Sequence, residues 1–243
     1  MPNNEQTHAK NLDNLRTAIS IGQSIGGIYK PSKTLIEIAS LQTYEAAISV
    51  VMQGVNNVLP AEENAVGARM AAFKLVPKRV TKILNAAKGQ GLTTEFISDI
   101  RTTANAIRGV RVSAKTPDDP LTAIDESKKS VSSSNRSFAG QLESIDLFVE
   151  QLKSNPDYSP TEAEYQTPTL DAWLGDLNTL NQTAIDAKGP TRTARNERNA
   201  VMYNNKDGLI VRAQMMKQYV RSILDTSDTR FIQLNRLKFV DLG

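Results

Sequence analysis

The chain has 243 residues, with 29 Lys+Arg against 26 Asp+Glu, a single histidine, no cysteine and 40% apolar residues. That length can bury a substantial core, and a net charge of only +3 with 23% charged residues is not the composition of a disordered chain. The lack of cysteine excludes disulfides, iron–sulfur clusters, thiolate zinc sites and cysteine nucleophiles, and one histidine removes most metal and general-base chemistry.

The N-terminal MPNNEQTHAKNLDNLR is polar and lacks the apolar run of a signal peptide, so a cytoplasmic location is expected. Leu12, Leu15 and Ile19 mark a first helix, and Gly22 and Gly26 in SIGQSIGG either let it pack closely or end it. Pro31-Ser32 suits the start of a second helix, in which Leu41, Tyr44, Ile48, Val51, Val55 and Val58 follow one stripe. The apolar stretch Ala46–Leu59 has 14 residues broken by Ser49, Gln53, Asn56 and Asn57. A bilayer span needs roughly 20, so no transmembrane segment is expected. Pro60 fits the first turn of a third helix with the stripe Phe73, Val76, Val80, Ile83 and Ala87, kinked at Pro77. Lys88-Gly-Gln-Gly91 ends that helix, Thr93 or Thr94 caps the next, and Phe96, Ile100 and Ile107 lie along it.

Residues 113–135, with two prolines and a Ser-rich end, form the clearest linker. Beyond it come stripes through Phe138, Leu142, Ile145 and Leu152, then Leu170, Trp173, Leu177 and Ala184, then Leu209, Ala213, Met216, Val220 and Ile223. The tail RFIQLNRLKFV is compatible with helix or with strand-like alternation. The expected fold is all-α: two tandem four-helix-bundle-like units, residues 1–112 and 136–243, joined by that linker.

The halves carry signs of an internal duplication. VTKILNAA at 80–87 matches VRSILDTS at 220–227, TTEFI at 93–97 matches DTRFI at 228–232, and Tyr29…Thr34-Leu35 lines up loosely with Tyr165…Thr169-Leu170. Charge repeats in the same order, with nets of −2, +8, −8 and +5 for residues 1–64, 65–115, 116–180 and 181–243. Each half is acidic in front and basic behind.

The second half contains Ala194-Arg195…Arg198-Asn199…Tyr203-Asn204…Gly208-Leu209…Lys217-Gln218-Tyr219-Val220-Arg221-Ser222, then Phe231…Leu234…Leu237-Lys238-Phe239. The first contains Ala68-Arg69…Phe73…Arg79-Val80-Thr81-Lys82-Ile83-Leu84-Asn85-Ala86. Together these resemble a family of duplicated all-helical proteins found mainly in Bacteroidetes-type genomes. The resemblance implies a helical fold and a duplication. The family has no established activity, so no catalytic or cofactor-binding residue carries over.

Lys74, Lys78 and Lys82 recur every fourth residue, with Arg79 beside them, and form a basic ridge. Its functional reading is a face for nucleic acid, an acidic lipid surface or an acidic partner; its plain reading is a solvated helix face. The acidic segment 116–180 is the more economical partner, within the chain or on another copy. Arg192, Arg195 and Arg198 make a second basic stripe, interrupted by Glu197. Asp118-Asp119 lacks a calcium-loop ligand set, no Glu-x-x-His pair supports a di-iron centre, and LNAAKGQGL is no phosphate loop. His8 belongs to a polar terminus and is expected to face solvent.

No nucleophile with an aligned base is visible, and no catalytic residue, metal, cofactor or small-molecule substrate is inferred. The expected function is a non-enzymatic structural or interaction protein that self-associates as a homo-oligomer or filament subunit through complementary charged helix faces. The alternative is an anion-face binding module.

Overall fold

The computed structural model describes residues 7–110 and 137–243, and every regular element among them is helical. Helix α1 (His8–Ile25) starts where the Thr7 side chain accepts the Lys10 N–H at 3.1 Å, and stops at Gly26, whose φ of 70° suits glycine. Gly22 and Gly26 therefore divide the two roles. A Cβ at Gly22 would lie 2.7 Å from Ile38 Cδ1 and 2.9 Å from Met216 Cε, so this glycine serves close packing. A 3₁₀ turn, Thr34–Ile36, leads into α2 (Ile38–Gly89). Helix α3 (Thr94–Arg108) starts at the Thr93 cap. After the undescribed segment come α4 (Phe138–Ser154), a 3₁₀ turn at Ala163–Tyr165, α5 (Thr167–Asp186), α6 (Lys188–Met202), α7 (Leu209–Ile223) and α8 (Thr229–Arg236).

The second and third helices expected from the sequence are one. Helix α2 has 52 residues and continues through both Pro60 and Pro77. Each proline removes a backbone donor at a cost of about 3 kcal/mol in a helix interior. Around Pro77 the helix is held by its apolar stripe, where Phe73, Val76, Val80 and Ile83 are all buried. The Thr81 hydroxyl donates to the Pro77 carbonyl at 2.8 Å, a side-chain bond to the carbonyl four residues back.

This continuity changes the division of the chain. With no turn near residue 60, the described residues of the first half form three α-helices rather than four. The compact units are Met1–Glu62 with Lys188–Gly243, and Glu63–Ala187, rather than bundles of 1–112 and 136–243. The linker expected at 113–135, including Asp118-Asp119, lies outside the described residues. In the first unit Leu15, Leu41 and Ile48 of the first half pack with Met202, Leu209, Val220 and Leu234 of the second. In the other, Val80, Ile83 and Ile100 pack with Ile145, Phe148, Leu152, Leu170 and Leu177, and α4 contacts both α3 and α5. Each unit thus joins the front of one half to the back of the other.

The tail resolves into a short helix, capped by Asp228, and then an extended run. Asn11, fully buried on α1, holds that run as a strand would: its amide donates to the Val240 carbonyl at 2.7 Å and accepts the Val240 N–H at 3.2 Å. Asn14 donates to the Lys238 carbonyl at 2.6 Å. Asn11→Ala strands both backbone groups of Val240 and should cost about 2 kcal/mol in urea unfolding. Unchanged stability would show that the tail is not held there.

Candidate functional site

The most distinctive arrangement is an arginine clamp that occurs twice. Arg212 on α7 donates from Nη1 to the Leu35 carbonyl at 2.7 Å, and its guanidinium lies 4.2 Å from the centre of the Tyr44 ring. Arg79 on α2 donates to the Glu164 carbonyl at 3.4 Å and lies 4.6 Å from the centre of the Trp173 ring. Leu35 and Glu164 occupy the same place in the two 3₁₀ turns, and Tyr44 and Trp173 the same place on the helices that follow. An arginine suits this task because its flat face stacks on the ring while its fork of donors reaches a carbonyl.

The surroundings recur too. The Tyr29 hydroxyl donates to the Ile36 carbonyl at 2.7 Å, and the Tyr158 hydroxyl to the Tyr165 carbonyl at 2.9 Å, each tying down a 3₁₀ turn seven residues on. The next backbone N–H is satisfied by a distant side chain in both cases: Lys30 N–H donates to the Tyr219 hydroxyl on α7 and Ser159 N–H to Oε1 of Gln90, just past the end of α2, each at 2.8 Å. Thr7 and Ser137 cap α1 and α4 in the same way. Phe138, just after its cap, meets Phe73 edge-on at 4.9 Å, and His8, just after its own, meets Tyr203 at 5.6 Å.

His8 is therefore not the solvent-facing residue expected from a polar terminus. It is half-buried, with Nδ1 2.8 Å from the Tyr203 hydroxyl, which also accepts from Asn11 at 3.1 Å. Burial, and secondarily the charge of Arg198, lower its pKa and favour the neutral ring.

Burial also holds the structural tyrosines protonated. Tyr44, whose hydroxyl donates to the Val201 carbonyl at 2.8 Å, and Tyr158 are each pushed up to about 12, and Tyr29 is raised as well. In the unfolded chain these phenols ionise near pH 10. The folded state keeps its protons longer, so this contribution is complete below pH 10 and is lost as pH rises towards 12. Phenolate absorbance followed with circular dichroism should show these three ionising together with loss of helix. Ionisation of all six tyrosines near pH 10 with the fold intact would contradict it.

The expected basic ridge is split. Lys74, Lys78 and Lys82 are exposed on α2, whereas Arg79 is half-buried in the clamp, its pKa lowered by burial and raised by Glu164 and Asp176. One step along a helix turns a side chain by about 100°, which takes Arg79 off the row formed by the lysines. Leu75, Lys78, Arg79 and Lys82 line a cleft of about 230 Å³ with Glu164 and Tyr165, so the cations share it with a carboxylate. In the other unit, Pro31, Lys33, Ile36, Met215 and Tyr219 line a cleft in the corresponding place between 3₁₀ turn and helix. Of the second basic stripe, Arg192 and Arg195 are exposed and Arg198 is half-buried, bonded to Asn199 Oδ1 at 2.8 Å.

No family model, curated protein or solved structure matches this chain. Among the described residues, no group of three or more His, Asp or Glu side chains is placed to hold a metal ion, and no helix is long and apolar enough to cross a membrane. The clamps escaped sequence reasoning because each joins residues far apart in the chain. A usable signal was present in Tyr29-Lys30-Pro31-Ser32 and Tyr158-Ser159-Pro160-Thr161, which mark the two tied turns.

Proposed function

We propose that this chain is a non-enzymatic structural or interaction protein, built from two copies of one helical half and self-associating through their complementary acidic and basic faces. The observation that carries the reading is the repeated clamp, in which each arginine belongs to one half and its ring and carbonyl to the other. A duplication accounts for cap, stripe, tied turn and clamp recurring in one order, and fits the resemblance to duplicated all-helical proteins of Bacteroidetes-type genomes.

Charge supports the same contact. Residues 63–110 carry 8 basic and 3 acidic groups, and residues 137–187 carry 1 and 9, and the two segments share a unit. Opposite charge therefore favours docking of one half on the other, and the same faces serve whether the second half belongs to the same chain or another. The anion-binding alternative is weakened, because Arg79 is engaged by Trp173 and the Glu164 carbonyl. Light scattering across concentration, at low and high salt, tests the proposal. We expect particles heavier than one chain that grow with concentration; a strictly single-chain mass throughout would overturn it.

A further inference from the structure

We infer that the groove between α7, α8 and the extended tail binds a medium-chain fatty carboxylate. Its head group sits on Lys217 and Arg221, and its chain on Ile210, Leu237 and Phe239. The site lies wholly within the unit of residues 1–62 and 188–243 and is independent of self-association. Two clefts meet there, sharing Lys217 and Asn235. One, of about 350 Å³, is also lined by Arg221, Thr226 and Phe231. The other, of about 360 Å³, runs along Ile210, Leu237, Phe239 and Val240. Among the described residues no carboxylate lines either cleft. The acids nearest in sequence are already engaged: Asp225 accepts from the Ser227 hydroxyl and Asp228 pairs with Arg230, each at 2.7 Å.

Lys217 is out of keeping with its place in the fold. Five residues beyond the clamp arginine of the other unit stands Leu84, only 3% exposed in the core. Five residues beyond Arg212 stands Lys217, half-buried. A cation at a core position is costly unless something answers its charge. The ammonium donates to the Leu237 carbonyl at 2.6 Å and the Asn235 carbonyl at 3.3 Å, and lies 5.7 Å from the centre of the Phe239 ring. An ammonium has three N–H donors, so one remains, and no carboxylate among the described residues lies within ion-pair distance. Burial lowers the pKa of Lys217, as befits a cation with no counter-charge beside it. Arg221, one turn further along the same face, is exposed and has no hydrogen-bond or ion-pair partner among the described residues. Together the two supply donors for both oxygens of one carboxylate, a group that the arginine fork matches in shape. The apolar side chains of the adjoining cleft call for a hydrocarbon attached to that head, and about 360 Å³ suits one short chain.

The test is a chemical-shift titration of the full chain with octanoate, acetate and octanol. Octanoate should saturate one site, shifting the amides of Lys217, Arg221 and Phe239, while acetate and octanol bind about tenfold more weakly or worse. Arg221→Ala alters an exposed side chain that holds no other element, and should weaken octanoate about tenfold, the loss of one charge-assisted hydrogen bond. Lys217→Leu gives the position the side chain of its counterpart in the other unit, and should abolish binding while helix content is kept. Lys74→Ala removes a charge from the other unit and should leave the affinity unchanged. Acetate or octanol binding as tightly as octanoate would overturn the inference, since head and chain would not act together. Unchanged affinity in Arg221→Ala, or no binding of octanoate by the unaltered chain, would overturn it as well. An equal loss in Lys74→Ala would reduce the effect to general charge attraction and also end it. Each outcome is read whatever the particle mass, so the self-association reading stands or falls separately.

Discussion

Replacing Arg212 with alanine should destabilise the unit formed by residues 1–62 and 188–243 by about 3 kcal/mol, a large effect for one polar side chain. Arg212 is only 8% exposed. Besides Leu35, it donates from Nε to the Asp207 carbonyl at 2.7 Å, and its guanidinium covers Tyr44. Among the described residues it has no carboxylate within ion-pair distance, so carbonyl dipoles and the ring face stand in for a counter-charge. Truncation leaves two carbonyls without their donor and a ring without its cover. Arg212→Lys keeps the charge but loses the fork and the stack, so most of the loss should remain. Arg79→Ala should cost less, about 1 kcal/mol, because its single carbonyl bond is longer and it is half-exposed. Urea unfolding of the three variants measures this ordering. An Arg212→Ala loss no larger than that of Arg79→Ala would reject the clamp as a structural device.

Phe148→Ala should be costlier still, at about 4 kcal/mol, since it removes a fully buried ring and leaves a cavity in a close-packed core. Ile145, Val149 and Leu152, on the same helix, are equally inaccessible, so little can collapse into the space. The core around the ring includes Ile83 and Ile100 from the first half as well as Leu170 and Leu177 from the second. Damage at Phe148 should therefore be felt in the first half of the chain. The loss appears as a lower urea midpoint; a loss below about 1 kcal/mol would mean that α4 is not packed as described.

Much of the local structure was legible. The stripes through Leu41, Tyr44 and Ile48 and through Phe73, Val76, Val80 and Ile83 are buried, and the caps at Thr93 and the stop near Gly91 lie where the residue types put them. Pro60 misled because a proline that suits the first turn of a helix lies here inside α2. The pairing of residues between the two halves differs for another reason. The sequence lines Tyr29 up with Tyr165, but its counterpart in the tied turns is Tyr158, seven residues earlier. The sequence matches Val80 with Val220, yet the clamp equates Arg79 with Arg212 and so Val80 with Ala213, again seven residues earlier. For Val80, seven residues are two helical turns, and an amphipathic pattern shifted by two turns matches itself; Tyr29, Tyr158 and Tyr165 lie outside the α-helices, where no stripe fixes the pairing. Only features outside the stripe, such as a tyrosine before a proline or an arginine over a ring, fix the register. Nor could charge blocks alone tell whether acidic 116–180 faces its own chain or another; for its described part, the packing of α4 and α5 with α3 and the latter part of α2 supplies an intrachain answer.

Each unit joins the front of one half to the back of the other. Hydrogen exchange on Phe148→Ala, compared with the unaltered chain, tests it most directly. Thr94–Arg108 should lose protection together with Phe138–Ser154, while Leu209–Ile223 keeps its own. Loss of protection in Leu209–Ile223 with Thr94–Arg108 unaffected would contradict the account and restore a second bundle made of residues 136–243 alone.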